Sequence, residues 1–334
     1  MFHHSTGVIE HCELCRFDGS AYTNDDVAGT LRNLGDWFTH SVQGIDAEVL
    51  NRRPEPTVWS PAEYLRHCKR MLWSMAGLME LMLIDDRPAV QGRPPADALA
   101  SDEPVEIDVL RELTRIDEEA SRMVRLWAKV SASDRARVAI LNGAEADLAG
   151  VVRHAIHDAT HHLSDIGRTV AALGAGTPDH TGRISRINAS AGGVPKPEIA
   201  RAVVGYRGIE GDRQNTRKHH GRVWQAMCLW STEVIERLAA EGHPVGPGDA
   251  GENIDLVGID WSAIRPGARM ELGGDDGVLL ELSGWTEPCS NLKPFFIERN
   301  FRRIDVDRHP GDSRIYAKVI RDGVIRSGDS ARVY

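Results

Sequence analysis

The run from Val152 to Arg168, VRHAIHDATHHLSDIGR, places His154, His157 and His161 along one helical stripe. Residues three or four apart in a helix share a face, so His157 and His161 direct two imidazoles toward a single ion. His67, upstream in SPAEYLRHCKRM, shares a helical face with Tyr64, Met71, Met75, Leu78 and Met82. It therefore points inward, where an imidazole needs a partner. Three neutral imidazoles with one position left open hold zinc or a similar divalent ion, which acidifies a bound water or thiol. A lone histidine on a helix face is usually an ordinary hydrogen-bonded side chain; an i, i+4 pair joined by an inward histidine on a second helix favours the metal. His162 lies about 100° round the helix from His161 and is expected beside the ion or against a substrate rather than on the metal. Asp158 and Asp165 either orient ligand imidazoles through their second nitrogens or are simply solvated.

A second chemistry is carried by Cys289, a thiol in Glu287-Pro288-Cys289 just after a predicted buried strand. A thiolate is the reactive form, and cationic neighbours lower a thiol pKa. Arg213, Lys218, His219, His220, Arg222 and Lys293 are the candidates, and the same cations would hold a phosphate or an anionic cofactor. Taken alone, one cysteine is more often a buried inert side chain, which is the reading given to Cys228 and Cys68. Cys12 and Cys15 form a CxxC that either binds a structural zinc with His11 or with His3 and His4, forms a redox pair, or stays unligated.

The elements that must position these residues divide the chain in two. A length of 334 residues suits two cores of roughly 150 residues each. A net charge of -9 argues against a nucleic-acid partner, because phosphate binding needs a concentrated basic face. No long apolar run and no signal-peptide layout are present, so a soluble cytoplasmic protein without a membrane partner is expected. Five cysteines without an export signal suggest reduced thiols or metal ligands rather than a disulfide framework.

Between Asn24 and Gln43, Val27, Leu31, Leu34 and Phe38 recur at helical spacing. Ser60, Pro61 and Glu63 form a capping box that opens a second helix running to about Ile84. After a Pro-rich loop from Arg87 to Pro104, Leu110, Leu113, Ala120, Val124 and Trp127 mark a third helix. Asp147 to Leu173 makes a fourth, ended by Gly174. Gly174 to Gly182 has the composition of a linker. Beyond it, short apolar runs at Ile184–Ala189, Ala202–Tyr206, Val223–Trp230, Ala268–Leu272, Val278–Leu282 and Arg314–Val319 alternate with turns, Asp322-Gly323 reads as a hairpin turn, and Ser231 to Ala240 is the one clear helix. The predicted fold class is multidomain α + β, a four-helix bundle followed by a β-barrel.

At TVWSPAEYLRH, ending in His67, and at HDATHHLSDIGR, the chain resembles the DinB-like superfamily of metal-binding four-helix bundles over roughly residues 10 to 175. The resemblance implies a divalent ion (zinc, nickel or iron) held by His67, His157 and His161, and a low-molecular-weight thiol as cosubstrate. The opening HCELCRFDGSAYT resembles a CxxC-x-F-D segment that accompanies some of these domains. Further on, GIEGDRQ, HHG, VWQAMCLWSTEVIERL, GDAGENI, IRPGARMEL and TEPCSNL follow one another in the order of a MOSC domain, the module named for the C-terminus of molybdenum-cofactor sulfurases. That resemblance covers about residues 183 to 334. It implies that Cys289 bears a persulfide or ligates molybdenum in a pterin cofactor, and that Asp212, His220, Glu252 and Asn253 line the cleft, where Arg213 joins them as a cationic candidate for binding the cofactor.

The expected organisation is a CxxC segment at 1–22, a DinB-like bundle at 23–174, a linker at 175–182 and a MOSC barrel at 183–334. The expected function is metal-dependent thiol or sulfur transfer. Its rivals are a molybdenum-cofactor oxidoreductase acting on N-hydroxylated substrates and a non-catalytic sulfur or cofactor carrier. No four-cysteine cluster pattern, dinucleotide fingerprint or pyridoxal-phosphate lysine segment is evident. The expected partners are therefore a small thiol or sulfur donor, an electron- or sulfur-donor protein, and a second copy of the chain in a homodimer.

Overall fold

The computed structural model describes residues 10–91, 106–215 and 220–334. His3, His4, Lys218, His219 and most of the Pro-rich loop lie outside these residues. The chain divides into two compact units, Met1–Leu173 and Gly174–Tyr334. No helix among the described residues is long and apolar enough to cross a membrane.

The first unit opens with a small antiparallel hairpin, β1 (His11–Cys12) and β2 (Phe17–Asp18). The CxxC occupies its turn, and Arg16, at φ 54, takes the left-handed residue that closes it. Four long helices follow: α1 (Asn24–Val42), α3 (Pro61–Ile84), α4 (Val109–Trp127) and α5 (Leu148–Ala172), with a short α2 (Ala47–Asn51) after α1. Each long helix starts where a side chain satisfies an otherwise unpaired backbone N–H. Thr23 and Ser60 form full capping boxes with Asp26 and Glu63, and Asp108 and Asp147 cap α4 and α5. Gly174, at φ +72, ends the last helix without the strain a Cβ would bring.

In the bundle α1 and α3 sit diagonally, each packed on both α4 and α5. The neighbour relation that matters is α3 with α5, since these carry His67 and the histidine run. Leu110, expected in the core, is 77% exposed, and Ile116 and Met123 fill the α4 stripe instead. The connection between α4 and α5 contains a two-stranded ribbon, β4 (Val138–Leu141) and β5 (Ala144–Asp147), with β3 (Ala89–Val90) added to β4.

The second unit is a seven-strand closed barrel. Around it run β11 (Ile254–Val257), β10 (Met227–Ser231), β14 (Ile315–Arg321), β13 (Val278–Trp285), β12 (Arg269–Leu272), β16 (Ser330–Val333) and β6 (His180–Asn188), and β6 returns to pair with β11. The short β7 (Glu198–Ile199) extends β6. A separate three-stranded sheet holds β8 (Arg201–Gly205), β9 (Gly208–Ile209) and β15 (Gly323–Arg326). Closure removes the sheet edges and buries Ile184, Ile187, Leu229, Ile254, Leu256, Met270, Leu280, Leu282, Ile315 and Ala317 in one core. The helix α6 (Thr232–Ala240) is capped by Ser231.

Three sequence expectations are corrected. The linker assigned to 175–182 ends early, because His180–Gly182 pair with Ala331–Val333 as the start of β6; they carry no apolar period because His180 and Thr181 are exposed and Gly182 has no side chain. Asp322-Gly323 does not fold β14 and β15 onto each other; neither residue takes the positive φ of a primed turn, and β15 crosses to pair with β8. The expected strand at Val223–Trp230 begins as a short 3-10 helix, Val223–Gln225, before β10.

Candidate functional site

The core stripe of α5 decides which histidines face which neighbour. Val152, Ala155, Ile156, Ala159, Leu163, Ile166 and Val170 are all buried. At 100° per residue, Asp158 and His162 lie roughly 70–110° from the centre of that stripe, and His157 and His161 roughly 150–170° from it. Turning the second pair toward α3 would expose Ile156, Leu163 and Ile166, at about 1.5–3 kcal/mol for each large side chain. The helix therefore presents Asp158 and His162, not His157 and His161, to His67.

The geometry matches. One ligand atom each from His67, Asp158 and His162 lies within 4.8 Å of the others. His67 Nε2 donates to Asp158 Oδ2 at 3.1 Å, and His162 Nε2 is 3.6 Å from Asp158 Oδ1. Donors on a zinc ion at 2.0–2.2 Å stand about 3–3.5 Å apart, so this set fits a divalent ion with little movement. His162 Nδ1 donates to Asp165 Oδ2 at 2.7 Å, which fixes the tautomer and turns Nε2 toward Asp158. The ring of Trp59 lies 5.2 Å from that of His67, and the ring of Tyr64 5.2 Å from that of His162. The side chains of His67 and His162 are 27% and 18% exposed, so the set opens to solvent.

The local electrostatics favour positive charge at this point. Burial alone would raise the Asp158 carboxyl, but hydrogen bonds from His162 and His67 hold it far below the usual carboxylate range. Burial opposes the charge on His162 too, and the two carboxylates Asp158 and Asp165 outweigh it, raising the imidazole to about 9. Protons and a metal ion compete for the same atoms.

The predicted set of His67, His157 and His161 is thus divided. His157 and His161 stand with Cys12 and Cys15 of the N-terminal hairpin, their ligand atoms again within 4.8 Å of one another. His162, expected beside the ion, stands with His67 instead, and Asp158 joins them there. Glu10 contacts both His157 Nδ1 at 2.7 Å and His154 Nδ1 at 3.2 Å. Against the penalty of burial, these two histidines hold Glu10 down at about 2. Burial would depress His157, and its contacts with Cys15 and Glu10 raise it to about 10 instead. His11, a candidate zinc ligand, is largely exposed and pairs with Asp18 at 3.5 Å.

In the barrel, Cys289 sits four residues beyond the end of β13, partly exposed, at the start of a 3-10 turn over Ser290–Phe295. It lies near enough to Tyr316 to help raise that phenol, which burial already pushes up. His220 Nδ1 is 3.3 Å from the Tyr316 hydroxyl, and Trp224 packs edge-on against the Tyr316 ring. Asp212 and Asn253 come together, Asn253 Nδ2 donating to Asp212 Oδ2 at 3.0 Å. Lys196, which sequence reasoning missed, donates to the same oxygen at 2.7 Å; it lies in a Gly- and Pro-rich loop with no pattern to mark it. Gly248, at φ +85, lets this loop approach so closely that a Cβ would sit 2.3 Å from the Lys196 carbonyl. Arg213 is exposed and contributes its backbone N–H to Ser190. Glu252 is fully buried and accepts from the Gly248 backbone, so it braces the loop rather than meeting solvent.

Comparison with known proteins agrees with the two units. Residues 31–166 match the DinB superfamily and residues 216–332 match the MOSC domain, in that order along the chain. No curated protein matches the sequence. Among solved structures, the YUAD protein from Bacillus subtilis is 17% identical, covering 47% of this chain and 97% of its own, with a TM-score of 0.37. YfiT from Bacillus subtilis, described as a probable metal-dependent hydrolase with an unusual four-helix bundle topology, is 15% identical, covering 45% of this chain and 87% of its own, with a TM-score of 0.41. YiiM from Escherichia coli is 18% identical, covering 47% of this chain and 70% of its own, with a TM-score of 0.35.

Proposed function

We propose that this chain is a metal-dependent enzyme of thiol chemistry, with its open centre at His67, Asp158 and His162 and a reactive cysteine, Cys289, in its barrel. The observation that carries the first part is the convergence of two imidazoles and a carboxylate from neighbouring helices on one solvent-facing point. Two histidines and one carboxylate leave coordination positions free for a nucleophile or substrate. A divalent ion bound there supplies Lewis-acid chemistry, lowering the pKa of a bound thiol or water.

The chain's own residues do the rest. Asp165 holds His162 in the tautomer that frees Nε2. Trp59 and Tyr64 supply an aromatic wall, and the Tyr64 hydroxyl, pushed up to about 12 chiefly by burial, stays protonated and can donate a hydrogen bond to a substrate. The DinB match supports the metal, and the sequence resemblance adds a small thiol as the nucleophile.

For the barrel, the MOSC match supports a sulfur-carrying or molybdenum-ligating role for Cys289. Thr286 Oγ1 and Arg314 Nε are buried without a hydrogen-bond partner among the described residues, and the Thr286 backbone N–H bonds the Arg314 carbonyl. These donors, close in sequence or pairing to Cys289, suit an acceptor-rich group such as a molybdenum pterin, which would supply two-electron redox chemistry.

Metal analysis of wild type against His67→Ala, Asp158→Asn and His162→Ala tests the open centre. Each variant is expected to lose bound metal and thiol-dependent activity together; unchanged metal in all three overturns the assignment. Cyanide-releasable sulfur or molybdenum that persists in Cys289→Ser excludes that thiol.

A further inference from the structure

We propose that Cys12, Cys15, His157 and His161 form a second, closed zinc site that fastens the N-terminal hairpin to the outer face of α5. It shares no ligand with the open centre, so either assignment can fail without the other.

Four donors of the right type meet there from two distant stretches of sequence, all within 4.8 Å of one another. Cys12 Sγ and His161 Nδ1 are 3.6 Å apart. A tetrahedral zinc with sulfur at about 2.3 Å and nitrogen at about 2.05 Å sets the two about 3.5 Å apart. His157 Nε2 is buried, and among the described residues no nitrogen or oxygen partner meets it; it faces the sulfurs of the CxxC. A buried polar atom without a partner is costly, and a metal ion supplies what this one lacks. Its other nitrogen, Nδ1, is already held by Glu10 at 2.7 Å, the carboxylate–histidine arrangement that fixes a ligand tautomer.

The surroundings fit a structural rather than a catalytic ion. Cys15 is 2% exposed, and the Phe17 ring stacks on the His157 ring at 4.5 Å, shielding the cluster from water. Two sulfurs and two nitrogens in tetrahedral array select zinc, and four protein ligands leave no open position. The hairpin has two residues in each strand, too few to hold its place by pairing alone. Zinc binding displaces the two thiol protons and converts ligand affinity into folding energy for this segment.

Cobalt substitution of the full-length protein tests the site by its spectrum. Wild type is expected to show thiolate-to-cobalt charge-transfer bands and tetrahedral d–d bands. Cys12→Ser/Cys15→Ser should lose the charge-transfer bands and one zinc equivalent per chain, whereas His67→Ala should keep the charge-transfer bands. X-ray absorption of zinc-loaded wild type, which needs no variant to fold, should show sulfur as well as nitrogen or oxygen in the zinc shell, averaged with the sulfur-free open centre where that is also filled. Absence of sulfur from that shell, charge-transfer bands retained in the double serine variant, or a Cys12–Cys15 disulfide in metal-replete protein would each overturn the proposal.

Discussion

The bundle and the barrel handle polar residues in opposite ways. In the bundle the ionisable side chains stand on helix faces with their ligand atoms turned toward one another, His67, Asp158 and His162 on one side of α5, where the set opens to solvent, and His157 and His161 on the other, beneath the N-terminal hairpin. In the barrel they are drawn inside and tied to one another: Lys196 to Asp212, Asp212 to Asn253, Asn188 to Asp255 and Lys318 to Glu281. The first arrangement keeps charge available for a cation. The second uses it to hold loops in place, with Cys289 left partly exposed.

Substitutions sharpen the contrast. The largest effect is expected in the bundle: His162→Ala should abolish thiol-dependent turnover while leaving the thermal unfolding of the barrel unchanged, and retained turnover would break the account of the open face. Asp165→Asn keeps the side chain's shape but weakens its hold on His162 Nδ1, so metal affinity should fall about 10–100-fold. A calorimetric titration with zinc or nickel measures that directly.

The barrel should respond through stability instead. Burial and the neighbouring Glu252 carboxyl raise Asp255 to about 8. The folded protein therefore holds a proton that the unfolded chain releases near pH 4. The sign follows: the stabilisation is fully present in acid and is lost as pH rises from about 4 to 8, by about 1.4 kcal/mol for each unit of pKa difference. Asp255→Asn should flatten this slope in melting temperature against pH, and a barrel transition equally steep in both proteins would contradict it. The smallest effect is expected at a helix end, where Ser60→Ala removes the cap of the helix carrying His67 and costs about 1 kcal/mol in chemical denaturation.

The two units were also legible to different degrees. The four long helices follow from apolar spacing and caps, and Ser60-Pro61-Glu63 and Asp147 start their helices where the sequence places them. The bundle site was legible in its residue types but misread in its grouping. The i, i+4 rule identifies two pairs on α5, 157 with 161 and 158 with 162, and only the position of the apolar stripe tells which pair faces α3. That stripe is visible in the sequence through Ile156, Ala159, Leu163 and Ile166, so the signal existed. The union of His157 and His161 with the CxxC was not legible, since nothing local ties residue 12 to residue 161. In the barrel the order of short motifs marked Asp212, Asn253 and Cys289, whereas Lys196 was hidden because barrel closure, not spacing, brings its loop to Asp212.

The central claim is that two imidazoles and a carboxylate on facing helices hold an exchangeable ion. Its most direct test is the metal content of the His67→Ala/His162→Ala protein beside that of wild type, both purified without chelator. The loss of one equivalent per chain, whatever else the protein retains, is the predicted result. An unchanged metal content would contradict it.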